Sequence, residues 1–380
     1  MTEQDTELAI YRDNVHRFIR EQVAPYYESW ERAEIMPREI WRQLGGAGML
    51  GTDIPECYGG IGADFRFSVL AQQELARAGF LALACSIAVH SDIVAHYVLH
   101  AGNEVQKQHY LPRMVSGECV GALAMSEPGA GSDLQAIRAR AEPDGDGWKI
   151  NGSKTFITNG QHADLVITAA KTDPGARGSK GISLLLVDAA VPGFSRGRNL
   201  EKLGQHAADT SELFYTDVRV GPDKLLGELN RGFAVLMNEL PRERLVLAIG
   251  GVAHARGALD ITVDYVKQRS AFGQPLAAMQ NTRFRLAEMA AEVTVHERFI
   301  ESCIASLMRG ELDTATASIA KLSCSELQDR VADGCLQMFG GYGYMREYPI
   351  SRFYADSRVQ RIYGGASEVM KEVISREVLK

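Results

Sequence analysis

Apolar positions recur at helical spacing through the first third of the chain. Leu8, Tyr11, Val15, Phe18 and Ile19 form one stripe. The glycine-rich stretch MLGTDIPECYGGIGADF (49–65) interrupts the pattern. Helix resumes through FSVLAQQELARAGFLALACSIAVHSDIVAHYVLHAG, where Gly102 can close it as a C-cap. Near Gly121 the period changes. GALAM, WKI, KTFIT, DLVITAA, ISLLLVD and SELFYT are short β-favouring runs split by Gly, Pro, Asn and Asp. Asn151-Gly152 predicts a hairpin turn between WKI and SKTFIT, and KTDPGARGSKG (171–181) a polar surface loop. Helical texture returns at Pro241, which suits a first helical position, and lasts to the end. Near the C-terminus, RIYGGASEVMKEVISR sets a glycine pair before an amphipathic helix. Ser367 suits its N-cap, with Val369, Val373 and Ile374 at helical spacing. The order predicts a mainly α fold with a central β-domain: a helical domain over 1–120, a β-domain over 121–230 and a helical bundle over 231–380.

Composition narrows the function classes. With 380 residues the chain suffices for two or three domains or one large composite core. Its 46% hydrophobic and 23% charged residues are ordinary for a globular protein. A net charge of −7 argues against nucleic acid as the main partner. The opening MTEQDTEL reads as neither a secretory signal nor a transit peptide. No apolar run is expected to reach bilayer-spanning length, so no membrane insertion is expected. The six cysteines form no CxxC pair, which suits free thiols in a reducing cytoplasm.

Several chemistries lack their motifs. There is no GxGxxG after a strand, no P-loop and no GxSxG. His90, His96 and His100 lack an HExxH glutamate or a nearby acidic cluster, and read as packing or surface histidines, so no metal is expected. MSEPGAGSD (125–133) fits either a plain turn or an anion-binding nest of consecutive amides. KTFITNG (154–160), if extended, turns Phe156 and Thr158 to one face and Ile157 to the other, a pairing that suits a flat heteroaromatic cofactor or an ordinary strand. QRSAFGQPLAAMQ (268–280) closes a helix with Arg269, a cation that suits the helix C-terminus or a pyrophosphate.

Taken in order, MSEPGAGSD, KTFITNG, QRSAFGQP, QMFGGYGY and RIYGGASEVMKEVISRE resemble the acyl-CoA dehydrogenase family over essentially the whole chain. The resemblance implies an N-terminal helical domain, a central β-domain and a C-terminal four-helix bundle, with FAD held between the last two. It implies that Leu123, Met125, Ser126 and Ser132 line the flavin and its phosphates, and that Phe156, Ile157 and Thr158 lie at the isoalloxazine. Many members carry Trp at the place of Phe156. Arg269, Gln337, Gly340 and Gly341 would bind FAD from a neighbouring subunit, with Ala271, Phe272 and Gln280 in the adjoining segment. That implies a homo-oligomer, usually a dimer of dimers. Ala366 stands where the family often has Thr, and Glu368 lies in the same FAD segment. Ser132, Arg244, Gly364, Gly365 and Arg376 would adjoin the acyl-CoA substrate. The implied reaction is α,β-dehydrogenation of a thioester, with a backbone N–H and a flavin hydroxyl polarising its carbonyl, and with electrons passed to an electron-transfer flavoprotein.

One departure stands out. Most members read Tyr-Glu-Gly-Thr where this chain reads Tyr363-Gly364-Gly365-Ala366, so the usual base is missing. A minority, including isovaleryl-CoA and long-chain acyl-CoA dehydrogenases, carry it on another helix in a motif resembling LPRERLVLA, which places Glu243 there. The expectation is that Glu243 is the base and that Gly364 clears the space it reaches into. Glu239, Glu243 and Glu368 also read as ordinary carboxylates of a first helical turn. A catalytically silent CoA- and flavin-binding scaffold, and an oxygen-using oxidase-like flavoenzyme, remain the alternatives.

Overall fold

Leu184, Leu185, Leu186 and Val187 are all buried in succession, because their strand is covered on both faces. In the computed structural model, which describes residues 3–380 with side chains from Thr6 onward, this strand lies in an eight-stranded sheet. The strands are β1 (Gly121–Ala124), β2 (Arg140–Asp144), β3 (Gly147–Thr158), β4 (Leu165–Lys171), β5 (Ile182–Asp188), β6 (Phe194–Asn199), β7 (Thr210–Val220) and β8 (Leu225–Leu226). Their order is β6-β7-β3-β2-β4-β5-β8, with β1 parallel to β4. Leu165, Ile167, Leu184 and Leu186 face a core that includes Ile93, Tyr97 and Leu111. Val166, Leu185 and Val187 face a second core with Ile150, Leu213 and Tyr215.

The chain divides into two units. The first holds Met1–Ser68, Ser86–Glu201 and His206–Leu240; the second holds Val69–Cys85, Lys202–Gln205 and Pro241–Lys380. Before the sheet come helices α1 (Glu3–Phe18), α2 (Tyr27–Ala33), α3 (Glu39–Gly46), α4 (Phe65–Arg77), α5 (Leu81–Ile87), α6 (Ala95–Ala101) and α7 (Glu104–Val115). The stripe on α1 is real: Tyr11, Val15 and Phe18 are buried. The second unit is helical. Its α10 (Thr314–Phe339) packs against α9 (Gln280–Met308), α11 (Pro349–Ser357) and α12 (Ser367–Val378).

Four local expectations are corrected. Asn151-Gly152 is not a turn; it lies inside β3, and the chain reverses at Gly145-Asp146. The register with β7 shifts between Ile150 and Gly152, and a Cβ on Gly152 would run into Ala139, so this glycine serves a close approach. Pro241 does not start a helix. α8 runs unbroken from Gly232 to Gln268, tolerating one missing N–H because buried Leu236 precedes the proline and Leu245–Ile249 follow it. Glu239 and Glu243 are therefore well inside a helix, and no helix N-terminus acts on them. Ser367 is the first residue of α12 and caps nothing; Ala366 holds the cap position. Finally, Leu81–Ala101 and Gly232–Gln268 are long and apolar enough to cross a bilayer, contrary to expectation. Their most apolar windows are 94% and 72% buried within the fold, which is how core helices pass the same test.

Candidate active site

The glycine loop after β1 is clamped at its base and open at its tip. Glu127 and Ala130 exchange two backbone hydrogen bonds, of 2.8 and 3.0 Å. The Glu127 carboxylate accepts from the backbone N–H groups of Arg138 and Ala139, at 2.6 and 3.0 Å. It also accepts from Lys154 Nζ at 2.9 Å, and the same ammonium donates to Met125 O at 2.9 Å. Lys154 is fully buried. Burial lowers its pKa, and the Glu127 charge opposes that shift. Ser126 Oγ donates to Thr155 O at 2.6 Å, and Thr155 N–H donates back to Ser126 O. Around Gly129 and Gly131 there is open space where a side chain would stand.

This clamp sets the neighbouring strand. β3 is irregular between Lys154 and Ile157, and Phe156 takes φ +60°, rare for a bulky residue. Its ring is thereby left 70% exposed, while Ile157 is buried on the other side. Phe156 and Ile157 part as expected, but through a bulge rather than a regular pleat. Leu123, Met125, Ser126 and Thr158 are half-buried nearby in sequence, and Ser132 is exposed.

In the second unit, α8 ends at Gln268 and a ribbon of β9 (Ser270–Ala271) and β10 (Gln274–Pro275) follows, turning at Phe272-Gly273. Arg269, Gln337, Gly340 and Gly341 come together there. With Tyr265, Leu276, Phe339 and Tyr342 they line a cleft of about 490 Å³. The Arg269 guanidinium stands 5.3 Å from the Tyr342 ring centre. Gly340 and Gly341 are also open where a side chain would stand. Ala271, Phe272 and Gln280 do not line the cleft, and Phe272 is almost wholly exposed.

A second group gathers around α8. Glu243 is 5% exposed and Arg244 4%. Arg244 donates to Ser318 Oγ on α10 at 3.0 Å. Burial lowers the arginine's pKa, and Glu243 offsets this. Leu247, one turn after Glu243, packs where a Gly364 side chain would be: a Cβ built on Gly364 would run into Leu247 Cδ1. Gly364 and Gly365 both have positive φ, +60° and +98°, and Lys321 Nζ on α10 donates to Gly365 O at 2.6 Å. Gly364 thus makes room for Leu247 rather than directly for Glu243. Arg376 does not join this group. It is exposed on α12 and pairs with Glu372 at 2.9 Å. Glu368 is exposed at the start of the same helix. The Glu239 carboxylate is engaged elsewhere, meeting His100 Nδ1 at 2.9 Å.

The histidines serve structure. His90 bridges Met114 O and Gly121 N–H, and burial holds its pKa down at about 4. His96 meets Ser91 O and Asp53. No metal-holding cluster occurs among the described residues. Sequence reasoning passed over Glu127, Lys154, Leu247 and Lys321. A signal existed for Lys321: it falls on the helical period of Ala317, Ala320, Cys324 and Leu327, all buried.

Three domain descriptions of one family match in register: "Acyl-CoA dehydrogenase, N-terminal domain" over 5–118, "middle domain" over 122–218 and "C-terminal domain" over 230–379. The long-chain specific acyl-CoA dehydrogenase of Sus scrofa mitochondria is 46% identical over 375 residues, 98% of this chain and 87% of that protein. The crystal structure of an acyl-CoA dehydrogenase from Geobacillus kaustophilus superposes with a TM-score of 0.96 at 44% identity, covering 100% of this chain and 98% of that one. A glutaryl-CoA dehydrogenase from Mycobacterium smegmatis, solved in complex with FADH2, superposes with a TM-score of 0.92 at 28% identity, covering 100% and 95%. The chain belongs to the acyl-CoA dehydrogenase family, with its N-terminal helical domain, central sheet domain and C-terminal helical domain. It is an acyl-CoA dehydrogenase, an oxidoreductase acting on CH–CH bonds.

Proposed function

We propose that the chain oxidises a saturated acyl-CoA to the trans-2-enoyl-CoA with Glu243 as the α-proton base, and passes the electrons to an electron-transfer flavoprotein. One observation carries the base assignment. Leu247 Cδ1 stands in the side-chain space at Gly364 and the backbone there has φ +60°, so a carboxylate at 364 would need both a displaced Leu247 and a strained backbone. Glu243 is buried one turn away on the same helix. Its carboxylate receives the α-proton as the thioester is oxidised. Arg244 beside it, held by Ser318, supplies a fixed positive charge at that end of the group.

The residues fit FAD. Gly129, Gly131, Gly340 and Gly341 let a ligand approach the backbone. Phe156 presents an exposed ring, and Arg269 with Gln337 supplies donors in a cleft of about 490 Å³. Met125, Ser126, Phe156 and Thr158 would hold the ring system, and Arg269, Gln337, Gly340 and Gly341 the phosphate half from another copy of the chain. Bound FAD supplies the acceptor for the β-hydrogen and its electron pair. The exposed Phe272, Phe284 and Val295 suit a homo-oligomer. Long saturated acyl groups are the first substrates to try, given the Sus scrofa relative.

An anaerobic panel of acyl-CoAs added to the FAD-loaded protein tests this by flavin absorbance. Rapid bleaching is expected with at least one long or branched chain; no bleaching with any of them overturns the proposal. Glu243→Gln is expected to keep FAD and lose bleaching, and an active Gln variant removes Glu243 as base. Gly364→Glu in the Glu243→Gln background is expected to restore activity only when Leu247→Ala opens the space. Reoxidation by air in place of the flavoprotein acceptor would instead favour an oxidase.

A further inference from the structure

The Gly364–Gly365 turn is held from outside. Both residues lie in the left-handed region and bring no side chain to anchor it. The anchor is Lys321, a lysine on the buried face of α10 that is 1% exposed and reaches Gly365 O at 2.6 Å. One turn earlier on α10, Ser318 holds Arg244, the neighbour of Glu243. One helix therefore grips both the turn and the arm that carries the base. We propose that Lys321 is a positioning residue for the reaction: its ammonium fixes the Gly364–Gly365 turn against Leu247 and so sets the room in which Glu243 works. This rests on the reading of Glu243 as base.

The charged groups acting on Lys321 come from three elements: Arg244 on α8, Arg361 in the 358–361 turn and Glu368 on α12. Burial and the two arginines push its pKa down to about 8, and Glu368 offsets only part of this. A neutral amine is a weaker donor than an ammonium. The grip on Gly365 O therefore loosens as pH rises through about 8. An arginine at the same place would keep its charge throughout.

The test is flavin reduction by acyl-CoA in the holoenzyme, followed from about pH 6 to about pH 10. Wild type, Lys321→Arg, Lys321→Met and Glu243→Gln are compared. Wild-type kcat is expected to decline above a pH of about 8. Lys321→Arg should stay within about fivefold of wild type and lose that decline, and Lys321→Met should drop kcat by about 10- to 100-fold with KM within about threefold and FAD retained. A wild type with no such decline, an arginine variant declining at the same pH, or a methionine variant with full kcat each overturns the proposal. If Lys321→Met fails to fold, wild type against Lys321→Arg decides alone. A fully active Glu243→Gln would instead remove the base reading, whatever the lysine variants do.

Discussion

Two buried lysines pin two glycine-bearing loops in this protein, and they do so in opposite electrostatic settings. Lys154 holds the Met125–Ala130 loop while paired with a buried carboxylate, Glu127, at 2.9 Å. That carboxylate is itself satisfied by two backbone N–H groups. Lys321 holds the Gly364–Gly365 turn through a backbone carbonyl, with Arg244 and Arg361 as like-charged neighbours that Glu368 only partly offsets. The first arrangement is an ion pair whose halves need each other. The second keeps a positive charge where burial opposes it. Burial by itself therefore does not say what a lysine is for. A paired charge mainly shapes the chain, whereas a charge kept at an energetic penalty has to be explained by something else it does.

The comparison is easiest to break at Lys154. Lys154→Met strands the Glu127 carboxylate and is expected to destabilise the fold by about 3–5 kcal/mol in denaturant unfolding. Adding Glu127→Gln should recover part of that, because a neutral amide oxygen can still accept from the Arg138 and Ala139 N–H groups. A loss below about 1 kcal/mol would mean the pair is not structural.

Lys321→Met is expected to behave differently, staying within about 1 kcal/mol of wild type near neutral pH. Removing a buried cation is favourable, but Gly365 O loses its donor, and the two effects oppose each other. The pH dependence sharpens this. The folded pKa, about 8, lies below the ordinary 10.5, so the unfolded chain binds more protons between those values. Wild-type stability should therefore gain from this group as pH rises from about 8 to 10.5, and the variant should lack that gain. Parallel stability–pH curves for the two proteins would refute it.

The smallest effect separates two serines, one in the first loop and one at the helix start just after the second. Ser126 Oγ donates to Thr155 O, so Ser126→Ala should cost about 0.5–1.5 kcal/mol. Ser367 Oγ is buried with no hydrogen-bond partner, and Ser367→Ala should be neutral or slightly stabilising by thermal unfolding. Equal losses at both would erase the contrast.

Much of the fold was legible because it is periodic. The α1 stripe, the change of texture at Gly121 and the double-sided burial of ISLLLVD follow from side-chain direction in helices and strands. The errors fall where a local signal was overruled. Asn151-Gly152 carries a turn signal, yet β7 pairs with β3 before and after it and β2 pairs as far as Asn151, and the ladder with β7 carries the chain straight through. Pro241 carries a helix-start signal, yet buried residues on either side keep α8 continuous. Ser367 carries a capping signal, yet its hydroxyl is buried without a partner. In the site, the motif glycines and Arg269, Gln337, Gly340 and Gly341 were legible as motif members. The grouping of those last four followed from the resemblance; that Tyr265, Leu276, Phe339 and Tyr342 wall the same cleft did not, because it joins the end of α8 to the end of α10.

The family, the order of helical and β segments and the missing carboxylate at Gly364 are all readable from the sequence alone, since each is a property of short stretches read in order. Folding brings Leu247 into the Gly364 side-chain space, Lys154 to Glu127 across 27 residues of chain, and Lys321 to Gly365 across 44. Those contacts depend on where separate elements pack, and a charged residue's burial and partner are set only then.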